Sequence, residues 1–388
     1  MNTKSTIKAA SMNSGNLKDL RFAIELSVKS DIPLFVHGSF GLGKSAAVEQ
    51  AAEAMSMTAH AVYTSQIMPE DAGGIVLNGE FDGEPAAIRG MPDIIQAVRK
   101  LRTKTGRPVL LFLDEINGGS RMVMAAIQSL ILTREAAGYR LPEDTRIIAA
   151  GNTEDDEAVI ETVPMPVNNR FMHFNYTGPT IDEWEEYALQ KGVHPVVLGY
   201  LKQRPDMLAA WGSGGDMVDP SAPEVPTPRT WDMLSTALHA ATQGAEGEPP
   251  RELGRHQRRL IVSMLLGSHV AQDMETVFEL AGKLVPARKV LDDPQGAKLP
   301  PAEDMKARYL QTVMICSEVI AHPDNEDFQA GMAYVARMGE DMSQVYSLAL
   351  VNAARGAKAE AMSGILAANA EELLPTLKAA AGHSWASK

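Results

Sequence analysis

Eight residues, GSFGLGKS at 38–45, constrain the fold of this chain more than any other stretch. They follow a short apolar run, IPLFVH (32–37), and precede an Ala-rich segment (45–55) of helical character. The pattern is G-x-x-x-x-G-K-[ST] in a strand–loop–helix setting, which is the arrangement that wraps a phosphate. Gly38, Gly41 and Gly43 let the loop curl so that backbone N–H groups face inward. The helix that follows presents its positive end to the same anion. Lys44 can reach β- and γ-phosphates, and the Ser45 hydroxyl can ligate Mg²⁺. The predicted cradle is Gly38, Ser39, Gly41, Leu42, Gly43, Lys44, Ser45 and Ala46.

A second segment supports the first. VLLFLDE (109–115) is continuously apolar before two acids, as expected of a strand buried on both faces of a parallel sheet. An acid at its end, Asp114, can hold the metal, and Glu115 can polarise a water for attack on a γ-phosphate. The spacing from Lys44 leaves room for an intervening strand and helix. No N-K-x-D or L-S-G-G-Q motif occurs, which disfavours small GTPases and ABC-type ATPases. Three polar residues stand at informative places. Asn152 follows the strand-like RIIAA (146–150). Arg170 precedes the strand-like FMHFNY (171–176). Arg229 sits in TPRTW at the start of a helical segment, where a cation is disfavoured unless an anion meets it.

The alternation of strand and helix to about residue 178 predicts an α/β domain (1–178), and the chain beyond reads as helical, in two parts, 179–285 and 286–388. Residues 66–92 are rich in turn formers and predict a hairpin-like insert; 137–145 predict a second turn or hairpin. Loops are expected at 212–228 and 286–301, with helices at 180–191, 230–242, 256–269 and 274–284. The chain has 388 residues, 36 Lys and Arg against 49 Asp and Glu, and a net charge of −13. That balance argues against general nucleic-acid binding. A single cysteine, Cys316, excludes an internal disulfide and any multi-cysteine zinc site. No apolar run approaches the length of a membrane span, and the start lacks a signal-peptide core, so a cytoplasmic location without membrane contact is expected.

GSFGLGKS, FLDEIN, the strand ending at Asn152, PVNNRF and TPRTW occur in an order that resembles the AAA+ ATPases, and within them the MoxR-like family with its helix-2 insert. The resemblance spans about residues 30–285. It implies a P-loop AAA+ α/β core with a parallel sheet, an all-α lid (179–285) and a helical C-terminal extension (286–388) outside the matched region. It implies ATP and Mg²⁺ as ligands, Lys44 and Ser45 as Walker A, and Asp114 and Glu115 as Walker B. Asn152 would be sensor 1, Arg170 an arginine finger acting on ATP held by a neighbouring subunit, and Arg229 the lid's sensor 2 arginine. It further implies a hexameric ring, with both inserts facing the pore and a protein client or a separately encoded von Willebrand-type partner. A nucleic-acid-associated AAA+ motor or loader, of restriction or replication type, is the alternative. Two departures stand out: Gly118 and Gly119 follow DEIN where Arg or Lys is usual, and Thr153 follows Asn152 where Pro is usual.

Other features read more plainly. EDDE (154–157) is expected to be a solvated acidic turn and RHQRR (255–259) a solvated helix face. His37 is expected to pack within its strand, Cys316 to be a small core residue, and the methionines of the last hundred residues to fill a core.

Overall fold

The computed structural model describes residues 13–152, 164–210, 224–243, 251–354 and 359–385. The chain divides into two compact units, Met1–Pro179 and Thr180–Lys388.

The first unit is built on a six-stranded sheet: β1 (Ser14–Gly15), β2 (Leu34–His37), β3 (Thr58–Tyr63), β4 (Val109–Asp114), β5 (Arg146–Gly151) and β6 (Met172–Tyr176). The order is β1-β6-β2-β5-β4-β3, and every pair is parallel. β4 is buried along its whole length, as its unbroken apolar run requires. The register pairs His37 with Gly151 and Tyr63 with Asp114, so these strands end together at one edge. After β2 the chain moves out to β3 at the sheet's far side, then returns through β4 and β5. It therefore diverges beside β2, the kind of place where open α/β sheets bind ligands.

The helix Leu17–Ser30 starts at Asn16, whose side chain accepts from Lys18 N and Asp19 N, and buries Leu20 and Ile24. The helices Asp93–Thr105 and Arg121–Thr133 bury Ile95, Val98, Val123 and Ile127 in the same core as Leu111 and Leu113. The insert at 66–92 is more regular than its composition suggests. It holds a short helix, Pro69–Gly73, and a hairpin, Val76–Phe81 with Glu84–Arg89. Asp82 and Gly83 both have positive φ, the condition for a tight two-residue turn that matches strand twist. A second, smaller hairpin pairs Glu135–Ala136 with Tyr139–Arg140.

The second unit is helical. Ile181–Lys191 carries the expected start, with Thr180 and Glu183 capping one another. The two helices predicted at 256–269 and 274–284 follow one another within Arg255–Lys283 and are separated by a sharp kink at Gly267 (φ 82°, ψ 166°), earlier than the sequence placed the break. The predicted linker at 286–301 contains a further helix, Ala287–Asp292, whose Val290 and Leu291 are buried. Helices on both sides of residue 285 share one hydrophobic cluster, which includes Trp184, Tyr200, Trp231, Leu310, Phe328 and Tyr346. Met338, Met342 and Met362 are buried in it, and Cys316 is fully buried with its thiol pushed up by that burial. Among the described residues no helix is long and apolar enough to cross a membrane.

One buried histidine gives this unit an acid sensitivity. His194 caps the helix Pro195–Gln203, its Nδ1 accepting from Val196 N at 3.3 Å. Burial and the nearby His239 push it down to about 3 from the usual 6.5. Its folded value lies below its unfolded one, so the unfolded chain takes up the proton first. Stability is then level above pH 6.5 and falls as pH drops below it, by up to about 1.4 kcal/mol per pH unit from this group. His194→Asn keeps a capping oxygen without the titration. Urea unfolding at pH 7.5, 6 and 5 is expected to show a shallower acid decline in that variant.

Candidate nucleotide site

The loop between β2 and the helix Lys44–Ala54 forms the site's floor. Gly43, the cap residue, adopts φ 91° and contributes no side chain, so the first N–H groups of the helix are not consumed by side-chain capping. Lys44 is buried, 8% exposed. Its ammonium donates to the Gly38 carbonyl, to the Ser39 carbonyl at 2.9 Å and to Asn152 Oδ1 at 3.3 Å. A bound phosphate would compete with these oxygens for the same charge. Gly38 N donates to Gly151 O at 3.3 Å, which ties the loop to β5, and Tyr176 Oη donates to Leu42 O at 3.4 Å.

Ser45 Oγ donates to Asp114 Oδ2 at 2.6 Å. Asp114 is itself buried, and its other oxygen accepts from Glu115 N at 2.9 Å. A hydroxyl and a carboxylate thus converge beside the phosphate cradle, a donor set that fits an oxygen-loving cation such as Mg²⁺ completed by phosphate and water oxygens.

Glu115 has φ 52° and ψ 42°, a left-handed conformation that a non-glycine residue holds only when its surroundings compel it. Its carbonyl accepts from Thr64 Oγ1 at 2.6 Å and from Gly118 N at 2.7 Å. Its side-chain Oε2 accepts from Ser65 Oγ at 2.5 Å. The departure at Gly119 has a reason here; that at Gly118 has none in the contacts around it. A Cβ on Gly119 would lie 3.1 Å from Thr64 O, and one on Gly118 would lie 3.4 Å from the Ser65 Cβ. Gly119 lets the Thr64–Ser65 segment, just after β3, lie close to the turn that carries Glu115.

Asn152 is held by a residue the sequence reading passed over. Asn117 is 7% exposed. Its Oδ1 accepts from Asn152 N at 3.2 Å and its Nδ2 donates to Asn152 O at 2.9 Å. The side-chain amide thus pairs with the Asn152 backbone as a neighbouring strand would. A Cβ on Gly151 would sit 2.8 Å from Asn117 Oδ1 and 3.0 Å from the Phe35 ring, so a side chain there would push the Asn117 amide away from the Asn152 backbone. Asn117→Ala removes both bonds and lets Asn152 drift. With the site read as one that hydrolyses nucleotide, the rate is expected to fall about 10²-fold with a smaller change in nucleotide affinity, measured by single-turnover kinetics beside fluorescent-nucleotide titration.

Lys44, Ser45, Asp114, Glu115 and Asn152 are therefore brought to one edge of the sheet from three separate stretches of chain. Arg170 lies in the same unit, exposed, in the turn after the short helix Met165–Asn168; its side chain has no partner among the described residues. Arg229 is in the second unit, exposed in the first turn of the helix Pro228–Thr242, which Thr227 and Thr230 cap. The acidic run at 154–157 lies outside the described residues.

No protein-family model and no curated protein matches the chain. Among solved structures, a Cytophaga hutchinsonii protein provisionally described as an ATPase is similar at 12% identity and a TM-score of 0.30, covering 84% of this chain and 78% of its own. Two mutants of Thermotoga maritima RuvB are similar at 13% identity, with TM-scores of 0.34 and 0.32, covering 71% of this chain and 73% and 74% of their own. These are distant likenesses; the strand order and the loop themselves define an α/β P-loop core followed by a helical region.

Proposed function

We propose that this chain is a Mg²⁺-dependent AAA+ ATPase that works as a ring, of the MoxR-like type, and uses hydrolysis to remodel or activate a protein client. The observation that carries the reading is the convergence of Lys44, the Ser45–Asp114 pair, Glu115 and Asn152 at the carboxyl ends of β2, β4 and β5.

In this reading Lys44 leaves its loop carbonyls for the β- and γ-phosphates of ATP. Ser45 and Asp114 would hold Mg²⁺, which supplies charge neutralisation between those phosphates. Glu115, fixed by Ser65, accepts a proton from the attacking water. Asn152, held by Asn117, orients that water. Arg170 reaches the ATP of a neighbouring subunit and stabilises charge in the transition state. Arg229 keeps the sensor 2 role that the resemblance implies, coupling hydrolysis to lid motion.

The client-contacting element is the hairpin at 76–89. Ile75, Val76, Leu77 and Ile88 are each about half exposed there, an apolar surface suited to an unfolded or flexible segment. The charge of −13 per chain, repeated around a ring, favours a protein client.

A second reading, a nucleic-acid motor or loader, is favoured by one observation. Arg255, His256 and Arg259 line a groove of about 500 Å³ along the kinked helix. Turnover measured with and without duplex and single-stranded DNA separates the two. DNA stimulation that falls steeply with salt would favour the motor. Unchanged turnover, together with a protein captured by Glu115→Gln in ATP, would favour the remodeller. Absence of Mg²⁺-dependent hydrolysis by the purified protein would defeat both.

A further inference from the structure

His37 and His173 stand 136 residues apart in sequence and meet between β2 and β6. Their rings stack at 5.2 Å, and Phe35 stacks on His37 at 4.0 Å. His173 Nε2 contacts the Asn168 carbonyl at 2.9 Å, and His173 Nδ1 contacts His37 Nε2 at 2.9 Å. A carbonyl oxygen only accepts, so His173 Nε2 carries the hydrogen and, in the neutral ring, Nδ1 carries none. His37 Nε2 must then be the donor of the second bond. Both tautomers follow from the single fixed acceptor at Asn168. Burial, His173 and Lys44 together push His37 down to about 4, which keeps it neutral near pH 7.

The ends of this chain of bonds are informative. His37 is the residue immediately before Gly38, whose carbonyl accepts from Lys44. Asn168 O also accepts from Phe171 N at 3.1 Å, closing the turn in which Arg170 is the third residue. Backbone bonds also tie the turn to the short helix, among them Asn168 N to Pro164 O, Asn169 N to Met165 O and Arg170 N to Val167 O, each at 3.0 Å. Met172 N, next after the turn, donates to Pro33 O at 2.8 Å, and His173 adds a side-chain tie between the Arg170 turn and the strand that carries the phosphate loop.

We propose that His173, with its tautomer set by the Asn168 carbonyl and its Nδ1 occupied by His37, is a positioning residue for Arg170, holding the Asn168–Phe171 turn so that the guanidinium is presented outward in register with the phosphate loop. The inference rests on the reading of Arg170 as a residue acting on a neighbour's ATP. It adds that the neighbour's rate depends on a histidine pair within the donating subunit.

Two substitutions separate the two bonds. Asparagine places its amide near the position of Nδ1 and cannot reach Asn168 O; glutamine reaches it and can donate. His173→Asn is expected to lower kcat for ATP about tenfold with the ATP Kd unchanged within twofold. His173→Gln is expected to restore most of that loss. The decisive measurement mixes subunits. Lys44→Ala subunits cannot use their own site but carry an intact Arg170 turn. Mixed with them, His173→Asn subunits should regain turnover, because their own phosphate loops are sound, and Arg170→Ala subunits should do the same. The inference is overturned if His173→Asn keeps the wild-type rate or loses ATP binding. It is also overturned if the mixture fails to revive His173→Asn while reviving Arg170→Ala. If Arg170→Ala is itself not revived, the in-trans reading fails and the inference with it; which variant fails tells the two cases apart.

Discussion

Arg170→Ala is expected to lower steady-state ATP turnover by about 10³–10⁵-fold while leaving ATP affinity within a few-fold of wild type. The effect is that large because a guanidinium in the transition state meets charge that the ground state carries elsewhere, so its contribution appears in kcat and little in binding. Two structural facts prepare the residue for such a role. Its side chain is exposed with no partner among the described residues, and its turn is anchored twice at Asn168 O. A solvated charge ending a short helix would cost almost nothing to remove. Steady-state rates over a range of protein concentrations provide the check. Wild-type turnover per chain should rise with assembly, whereas Arg170→Ala should show no such rise.

Glu115→Gln should reduce turnover by about 10²–10⁴-fold and trap ATP. Glutamine is nearly isosteric and its amide oxygen can still accept from Ser65, so the left-handed turn at position 115 should persist. What is lost is the capacity to take a proton from water. The outcome is read as retained nucleotide after gel filtration alongside the hydrolysis rate. Rapid turnover by this variant would remove Glu115 from its assigned role. The same trap is the means of capturing a client.

The parts of the site that could be read in sequence are those whose meaning is local. GSFGLGKS and VLLFLDE each combine a buried strand with the polar residues at its end, and the strands fall where the apolar runs lie. The missing parts depend on contacts across the sheet. Asn117 sits inside FLDEIN, yet its task is to pair with a backbone 35 residues away. Ser65 follows β3, an edge strand whose TAHAVY sequence is only half buried and carries a weak hydrophobic signal. His37 alone looks like strand packing; its partner became visible only when β6 lay beside β2. In the helical unit, the boundary between the two helices read at 256–269 and 274–284 falls earlier, at Gly267, and the Pro-flanked segment at 287–292 hid a short helix that buries Val290 and Leu291.

The shared cluster of the second unit bears on how the protein survives in a cell. The helix Met305–Ala321 packs on Pro195–Gln203, and Glu340–Ala353 packs on Ile181–Lys191. Tyr309 donates to Glu185, and Leu310, Cys316 and Tyr346 lie in one cluster with Trp184 and Trp231. A truncation or proteolytic nick near residue 300 would strip the facing helices of their partners and expose aromatic surface to chaperones and proteases. The last hundred residues are therefore inseparable from the helices before them, and a premature stop codon there is expected to act as a loss of the whole protein.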